Sequence, residues 1–351
     1  MPLPLRIKYT LLFLWQLLLL VVVLNIMLNA GMWVYLLRQG KGQLSIIYHT
    51  EKVSEVIYGN KISAAQKQKI ELIKEIKTYA EAHLGLKKTT NYSTYYDQKG
   101  KPILWMLTAC APFEFKEQLW EFPLLGEVSY KGFFDYDLAF KEAIPLKMQH
   151  LDVDIGKVSA WSTLGILSDP ILSSMLDDDE GALAALIIHE LTHATLYLPN
   201  NVDFNENFAS FVGKQGALQF ITQKYGKQSA ELSNYLQANQ EEDILKSFLL
   251  GKKLMLEDFY LKLHKNQSAI EKKRLKQQLI ESIIKEMYVL PIYNWKTKIS
   301  IAHKIRLSGN AYFMSFNRYD AQYNEIYKSY TSLESDLKKL IMYAKEHQAL
   351  K

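Results

Sequence analysis

The residues of this chain whose types and spacing could do chemistry are His189 and His193, four apart, with Glu190 between them in His189-Glu190-Leu191-Thr192-His193. On a helix, positions four apart share one face, so both imidazoles can reach a single Zn²⁺. Glu190, one step round, can point at a metal-bound water rather than at the metal. That layout provides two ligands, a general base and an open coordination position, the arrangement of a metallopeptidase helix. A catalytic zinc needs a third protein ligand, and Glu206 is the nearest downstream candidate. The competing reading is a helix whose histidines and glutamate merely hydrogen-bond in a core.

The elements that must position these groups can be read around them. Gly181 to Ile188 is mostly good helix formers, and Asp177, Asp178 and Asp179 precede it, able to cap the helix and favour its positive end. Pro199 stops it, so the motif lies in the last turns of an apolar helix, where unpartnered polar groups are costly. A second long helix is expected over 203–225, and a helical hairpin would bring Glu206 near both histidines. Asp203 and Glu206 also have the spacing of a capping box, in which Glu206 would only satisfy a backbone N–H. Both uses stay open on spacing alone.

Upstream, 157–165 reads as a short strand just before the zinc helix. An exposed strand edge can pair with a peptide backbone, which makes Ala160 and Trp161 candidate substrate contacts; an ordinary internal strand is the alternative. Aromatic and apolar runs on either side of Asp97-Gln98-Lys99-Gly100-Lys101-Pro102 suggest a β-hairpin within 89–108. Apolar spacing predicts a helix over 64–83, with Gly85 able to end it, and another over 137–150. Residues 230–288 read as helical and charged throughout, and Lys272-Lys273-Arg274-Leu275-Lys276 reads as a solvated face.

The chain has 351 residues and a net charge of +5, with no basic stripe interleaved with aromatics, so no nucleic-acid partner is expected. Cys110 is its single cysteine, which excludes an internal disulfide and any zinc site built on several cysteines. The run from Thr10 to Leu37 has no charged residue and exceeds the roughly 20 residues that span a bilayer. The best candidate for a small-x-small cleavage site, near Asn29-Ala30-Gly31, has Leu28 three before the cut and is poor, so an uncleaved transmembrane anchor is expected rather than a signal peptide. The expected organisation is a basic tail over 1–9, an anchor over 10–37 and a zinc peptidase domain over 38–351, with a helical subregion at about 226–300. The expected location is a bacterial inner membrane, with the catalytic domain outside the cytoplasm, in the periplasm. The sequence leaves the oligomeric state unknown.

Several motifs share a pattern. They are Gly42-Gln43-Leu44; Phe122-Pro123 with Gly126, Tyr130, Gly132, Phe134 and Asp135; Ser162-Thr163-Leu164-Gly165; Asp169-Pro170-Ile171-Leu172-Ser173; the H-E-L-x-H motif; and Asn205-Glu206-Asn207-Phe208-Ala209. On these the chain resembles the bacterial putative aminopeptidase family, zinc metallopeptidases of the gluzincin type. The resemblance implies zinc bound by His189, His193 and Glu206, with Glu190 as base. Two positions depart from the pattern. No cysteine ends the N-terminal apolar run, where family members carry one for a lipid. Ser210 stands where many gluzincins carry an Asp that orients a histidine.

The expected function is hydrolysis of a peptide or protein substrate, as an aminopeptidase. The alternatives are a membrane-anchored endopeptidase, or a non-catalytic tethered binding factor with a structural zinc. Tyr319 is a candidate oxyanion donor, against the alternative of a surface tyrosine. The expected fold is α+β and mostly helical: a zincin-like core with a small antiparallel sheet beside the active-site helix, and the N-terminal transmembrane helix.

Overall fold

The computed structural model describes residues 5–122, 126–158, 168–199, 201–264, 267–314 and 323–347. In chain order the elements begin with α1 (Leu5–Leu28), α2 (Ala30–Tyr48), β1 (Glu51–Lys52), α3 (Val53–Tyr58) and α4 (Ala64–His83). The strands β2 (Thr94–Tyr96), β3 (Leu104–Cys110), β4 (Trp120–Phe122), β5 (Gly126–Val128) and β6 (Lys131–Phe133) follow, then α5 (Tyr136–Met148), β7 (Asp152–Val158) and β8 (Ile171–Leu172). The rest is helical: α6 (Glu180–Thr195), α7 (Val202–Tyr225), α8 (Ala230–Leu261), α9 (Ala269–Tyr288), α10 (Trp295–Ser308), α11 (Asn310–Met314), α12 (Tyr323–Ser332) and α13 (Leu337–His347). The fold is therefore mostly helical with small sheets, as the hydrophobic periodicity predicts.

Two compact units are present, one of Met1–His49 with Glu121–Gly126 and one of Thr50–Trp120 with Glu127–Lys351. In the first, the uncharged run over 10–37 is not a single span. It breaks at Asn29 into α1 and α2, and α2 continues through Arg38 and Lys41. Among the described residues no helix is long and apolar enough to cross a membrane. This corrects the expected transmembrane helix, and the membrane-anchored, extracytoplasmic placement that depended on it loses its support.

The second unit holds α6, the helix that carries His189, Glu190 and His193. Helix α4 starts with a full capping box, Ser63 accepting from the Gln66 N–H while the Gln66 side chain accepts from the Ser63 N–H. It ends before Gly85, whose φ of +72° lies in the left-handed region. Its apolar face, Ile70, Ile73 and Ile76, is fully buried, and α4 packs on α6. A second core gathers Leu249, Leu256, Ile283, Ile284, Met287, Ile305 and Phe313 from α8 to α11.

The hairpin expected within 89–108 does not form. β2 pairs antiparallel with β1 and parallel with β8, placing Tyr95 opposite Ile171, whereas β3 lies between β6 and β7 in an antiparallel sheet with Leu107 opposite Ile155. The turn residues are where the sequence puts them, but long-range partners take both strands. The principal neighbours of α6 are helices α4, α7 and α8 rather than a sheet. The 230–288 stretch divides into α8 and α9. In the basic run, Lys276 is not solvated: it is buried, and its ammonium pairs with Asp152 and donates to the Pro112 carbonyl at 2.6 Å.

Candidate metal centre

The geometry starts with two capped helices. Asp179 caps α6, its side chain accepting from the Ala182 N–H at 2.8 Å, so of the three aspartates the last is the cap. Asn201 caps α7, accepting from the Phe204 N–H at 3.3 Å. Because α7 already begins at Val202, Asp203 is not its cap, and Glu206 lies inside the second turn with its side chain free of the capping role. The six-residue link between the helices is held by Asn205, which is buried. Its amide oxygen accepts from the Leu198 N–H and its amide nitrogen donates to the Leu198 carbonyl, both at 2.8 Å.

Helix α7 then lies close along α6. Its inner face, read at positions 206, 210, 213 and 217, is Glu206, Ser210, Gly213 and Ala217. A Cβ on Gly213 would stand 2.7 Å from the Ala185 carbonyl oxygen and 3.2 Å from the His189 Cβ. Gly216 meets Leu84 and Ile188 in the same way. Only glycine permits this approach, and the approach carries Glu206 to the histidines.

The result is a compact donor set. The His189 and His193 Nε2 atoms are 3.0 Å apart, and the Glu206 carboxylate lies 3.4 Å from His193 Nε2 and 3.6 Å from His189 Nε2. Donors 2.0–2.1 Å from a tetrahedral ion are about 3.3 Å from one another. The imidazole nitrogens stand near this spacing, each with a different Glu206 oxygen beside it, and one donor atom from each residue lies within 4.8 Å of the others; two imidazole nitrogens with a carboxylate oxygen are a donor set that zinc accepts. His193 is almost wholly enclosed, while Glu206 is the most open of the three.

Charge follows this geometry. Burial works to raise the Glu206 carboxyl, but the adjoining His189 and His193 outweigh it and hold the group well below the usual carboxylate range. Burial works to lower His193, and Glu206 with Glu190 reverses it, so the imidazole is raised. Glu190 is raised, mainly by burial, with His189 and His193 opposing and Glu206 and Asp169 assisting. The Glu190 Oε2 and the His193 Nδ1 are enclosed and have no hydrogen-bond partner among the described residues. The Nδ1 of His189 has Ser210 Oγ at 3.4 Å. If Nδ1–H donates to that hydroxyl, Nε2 is left as the lone pair facing the donor set.

The structure thus brings His189, His193 and Glu206 together, with Glu190 alongside. Ala160, Trp161 and Tyr319 lie outside the described residues. Sequence reasoning gave Ser210 as a departure without finding its partner. It did not single out Asn205 as the clamp of the interhelical link, although a polar residue at a buried helical position was a signal.

A family model described as putative aminopeptidase matches residues 34–351. No curated protein and no solved structure matches the chain.

Proposed function

The chain belongs to the putative aminopeptidase family, and from that premise we propose that it is a zinc-dependent aminopeptidase of the gluzincin type. One observation carries the reading: the donor atoms of His189, His193 and Glu206, one from each residue, converge from two helices to within 4.8 Å of one another. These three residues would hold the ion. When bound, it supplies a Lewis acid that brings the pKa of water down to about 7 and polarises the scissile carbonyl.

Glu190 is the general base in this reading. Its carboxylate takes a proton from the attacking water and returns it to the amine of the departing fragment, so the proton count closes and Glu190 is regenerated. Burial raises its carboxyl above the ordinary carboxylate value, which makes it a stronger proton acceptor. Ser210 orients His189. Ala160 and Trp161 as substrate contacts, and Tyr319 as the oxyanion donor, rest on the sequence. Strand β7, which leads toward 160 and 161, has a single partner, β3, and is an edge strand among the described residues.

Fluorogenic aminoacyl substrates set against N-blocked peptides test this reading. Hydrolysis of the free-amine set, lost on chelation and restored by zinc, is the expected result. Glu190→Gln should keep zinc and lose about 10²–10⁴-fold in rate. Cleavage of blocked peptides alone would make the enzyme an endopeptidase, and full activity in Glu190→Gln would remove Glu190 from the chemistry.

A further inference from the structure

Helix α5 turns its larger apolar side chains outward. Its buried residues are Ala139, Ala143 and Leu146, so it meets the sheet of β3, β6 and β7 mainly through alanines. The other side carries Tyr136, Phe140 and Ile144, each more than 40 % exposed, and Met148, which is 75 % exposed. These four are spaced by four throughout, so they form one continuous ridge along the helix. The Tyr136 and Phe140 rings stack with centroids 6.1 Å apart. Trp105 of β3 meets Tyr136 edge-on at 4.9 Å and extends the ridge onto the sheet. Exposed apolar side chains scattered singly are ordinary, but a contiguous ridge of this kind marks a contact surface.

The charges beside the ridge decide what fits it. Two exposed acids begin the helix, Asp135 as its cap and Asp137 in its first turn, and two exposed lysines follow, Lys141 and Lys147. An anionic lipid surface is held by an excess of lysine and arginine, and this balance offers none. A second α5 matches it instead. When two copies lie antiparallel about a two-fold axis at position 142, Tyr136 comes opposite the partner's Met148 and Phe140 opposite the partner's Ile144. The same register sets Asp137 opposite the partner's Lys147, and symmetry makes every pairing twice. The Lys147 ammonium already lies over the ridge, 6.0 Å from the centre of the Phe140 ring. Antiparallel helix dipoles also favour this arrangement, whereas a parallel one would set like charges together.

We propose that α5 is a homodimer interface, its ridge from Tyr136 to Met148 packing antiparallel on the same ridge of a second copy. A contact centred on one helix from each side belongs to the small interfaces, below about 1,200 Å² in total, so the dimer is weak, with a Kd on the order of micromolar.

Sedimentation velocity of the full chain over about 1–100 µM tests this. Wild type should pass from monomer toward dimer across that range. Phe140→Asp should weaken association about tenfold or more, with an unchanged circular dichroism spectrum because the ring is exposed. Asp137→Lys and Lys147→Asp should each weaken it about threefold or more by setting like charges opposite one another. The double variant Asp137→Lys with Lys147→Asp should return it to within about twofold of wild type. Each reversal also puts the unfavourable charge at an end of α5, so damage to the helix itself would be greatest in the double variant. Recovery there therefore reports the pairing between copies. A wild-type chain that is monomeric at about 100 µM overturns the interface. So does association that none of these changes alters, as when the exposed apolar residues of α1 drive it, and so does a double variant weaker than either single one.

Discussion

Gly213→Ala tests whether the close approach of α7 to α6 is what builds the metal centre. The new Cβ would lie 2.7 Å from the Ala185 carbonyl oxygen, where ordinary contact begins at 3.4 Å. That atom is backbone and cannot swing aside, so α7 must retreat by about 0.7 Å. Overpacking of this kind costs about 1–3 kcal/mol. Replacing a helical glycine by alanine returns about 1 kcal/mol, which leaves a net loss of about 1 kcal/mol. The retreat carries Glu206 away from donors now 3.4 and 3.6 Å distant, and zinc should bind about tenfold more weakly, as when a supporting contact is lost. Gly251 in α8 is the control. Nothing lies within 4 Å of a Cβ there, so Gly251→Ala should raise stability by about 0.5–1 kcal/mol. Calorimetric melting and zinc competition against a chromophoric chelator measure both effects. A Gly213→Ala protein as stable as Gly251→Ala, with unchanged zinc affinity, would refute the argument that helix separation sets the site.

Glu206→Ala should weaken zinc binding more than about 100-fold, beyond what loss of an outer contact does, and full zinc retention would reduce Glu206 to a structural role. Lys276→Met should cost about 3–5 kcal/mol in denaturant unfolding, because it strands Asp152 in a poorly solvated position. Adding Asp152→Asn should recover part of that loss, and an undiminished loss in the double variant would show that the pair's charges are not the cause. Burial, followed by the charge of Asp152, pushes the Cys110 thiol from 9.0 up to about 12. The folded state then holds a proton that the unfolded chain releases. This contribution to stability is complete below pH 9 and is lost as pH rises toward about 12. The fall of the urea midpoint over that range should be shallower in Cys110→Ala, and rapid labelling of native protein by a thiol reagent at pH 8 would contradict the assignment.

What the sequence disclosed about the site is what local periodicity controls. His189, Glu190 and His193 are readable because a helix places positions four apart on one face whatever the rest of the chain does. Glu206 needed the helical hairpin as well, and spacing alone could not separate ligand from cap. The structure removes the cap reading through a residue the spacing did not single out, since Asn201 takes the cap. Where a reading depended on distant partners it failed. Tyr95 pairs with Ile171 rather than across the Gly100 turn, and Lys276, one charge in a basic run, is drawn inward by Asp152. The uncharged 10–37 run was read by composition, yet it divides at Asn29.

Ser210 shows how charge is distributed about the centre. Glu190, Glu206 and Asp169 already crowd three carboxylates into this region, and Glu190 and Asp169 are buried. Each further buried charge costs free energy that its partners must repay. A carboxylate at 210 would orient His189 firmly and make its imidazole a more basic ligand, but it would also push Glu190 further toward its protonated form. The serine hydroxyl at 3.4 Å can accept from Nδ1–H, and so serve the same tautomer, without adding charge. The exchange gives up some strength in the hold on His189 and protects the ionised form of the base. If Glu190 is the base proposed above, needed as an anion, it gains more from that protection than His189 loses in orientation.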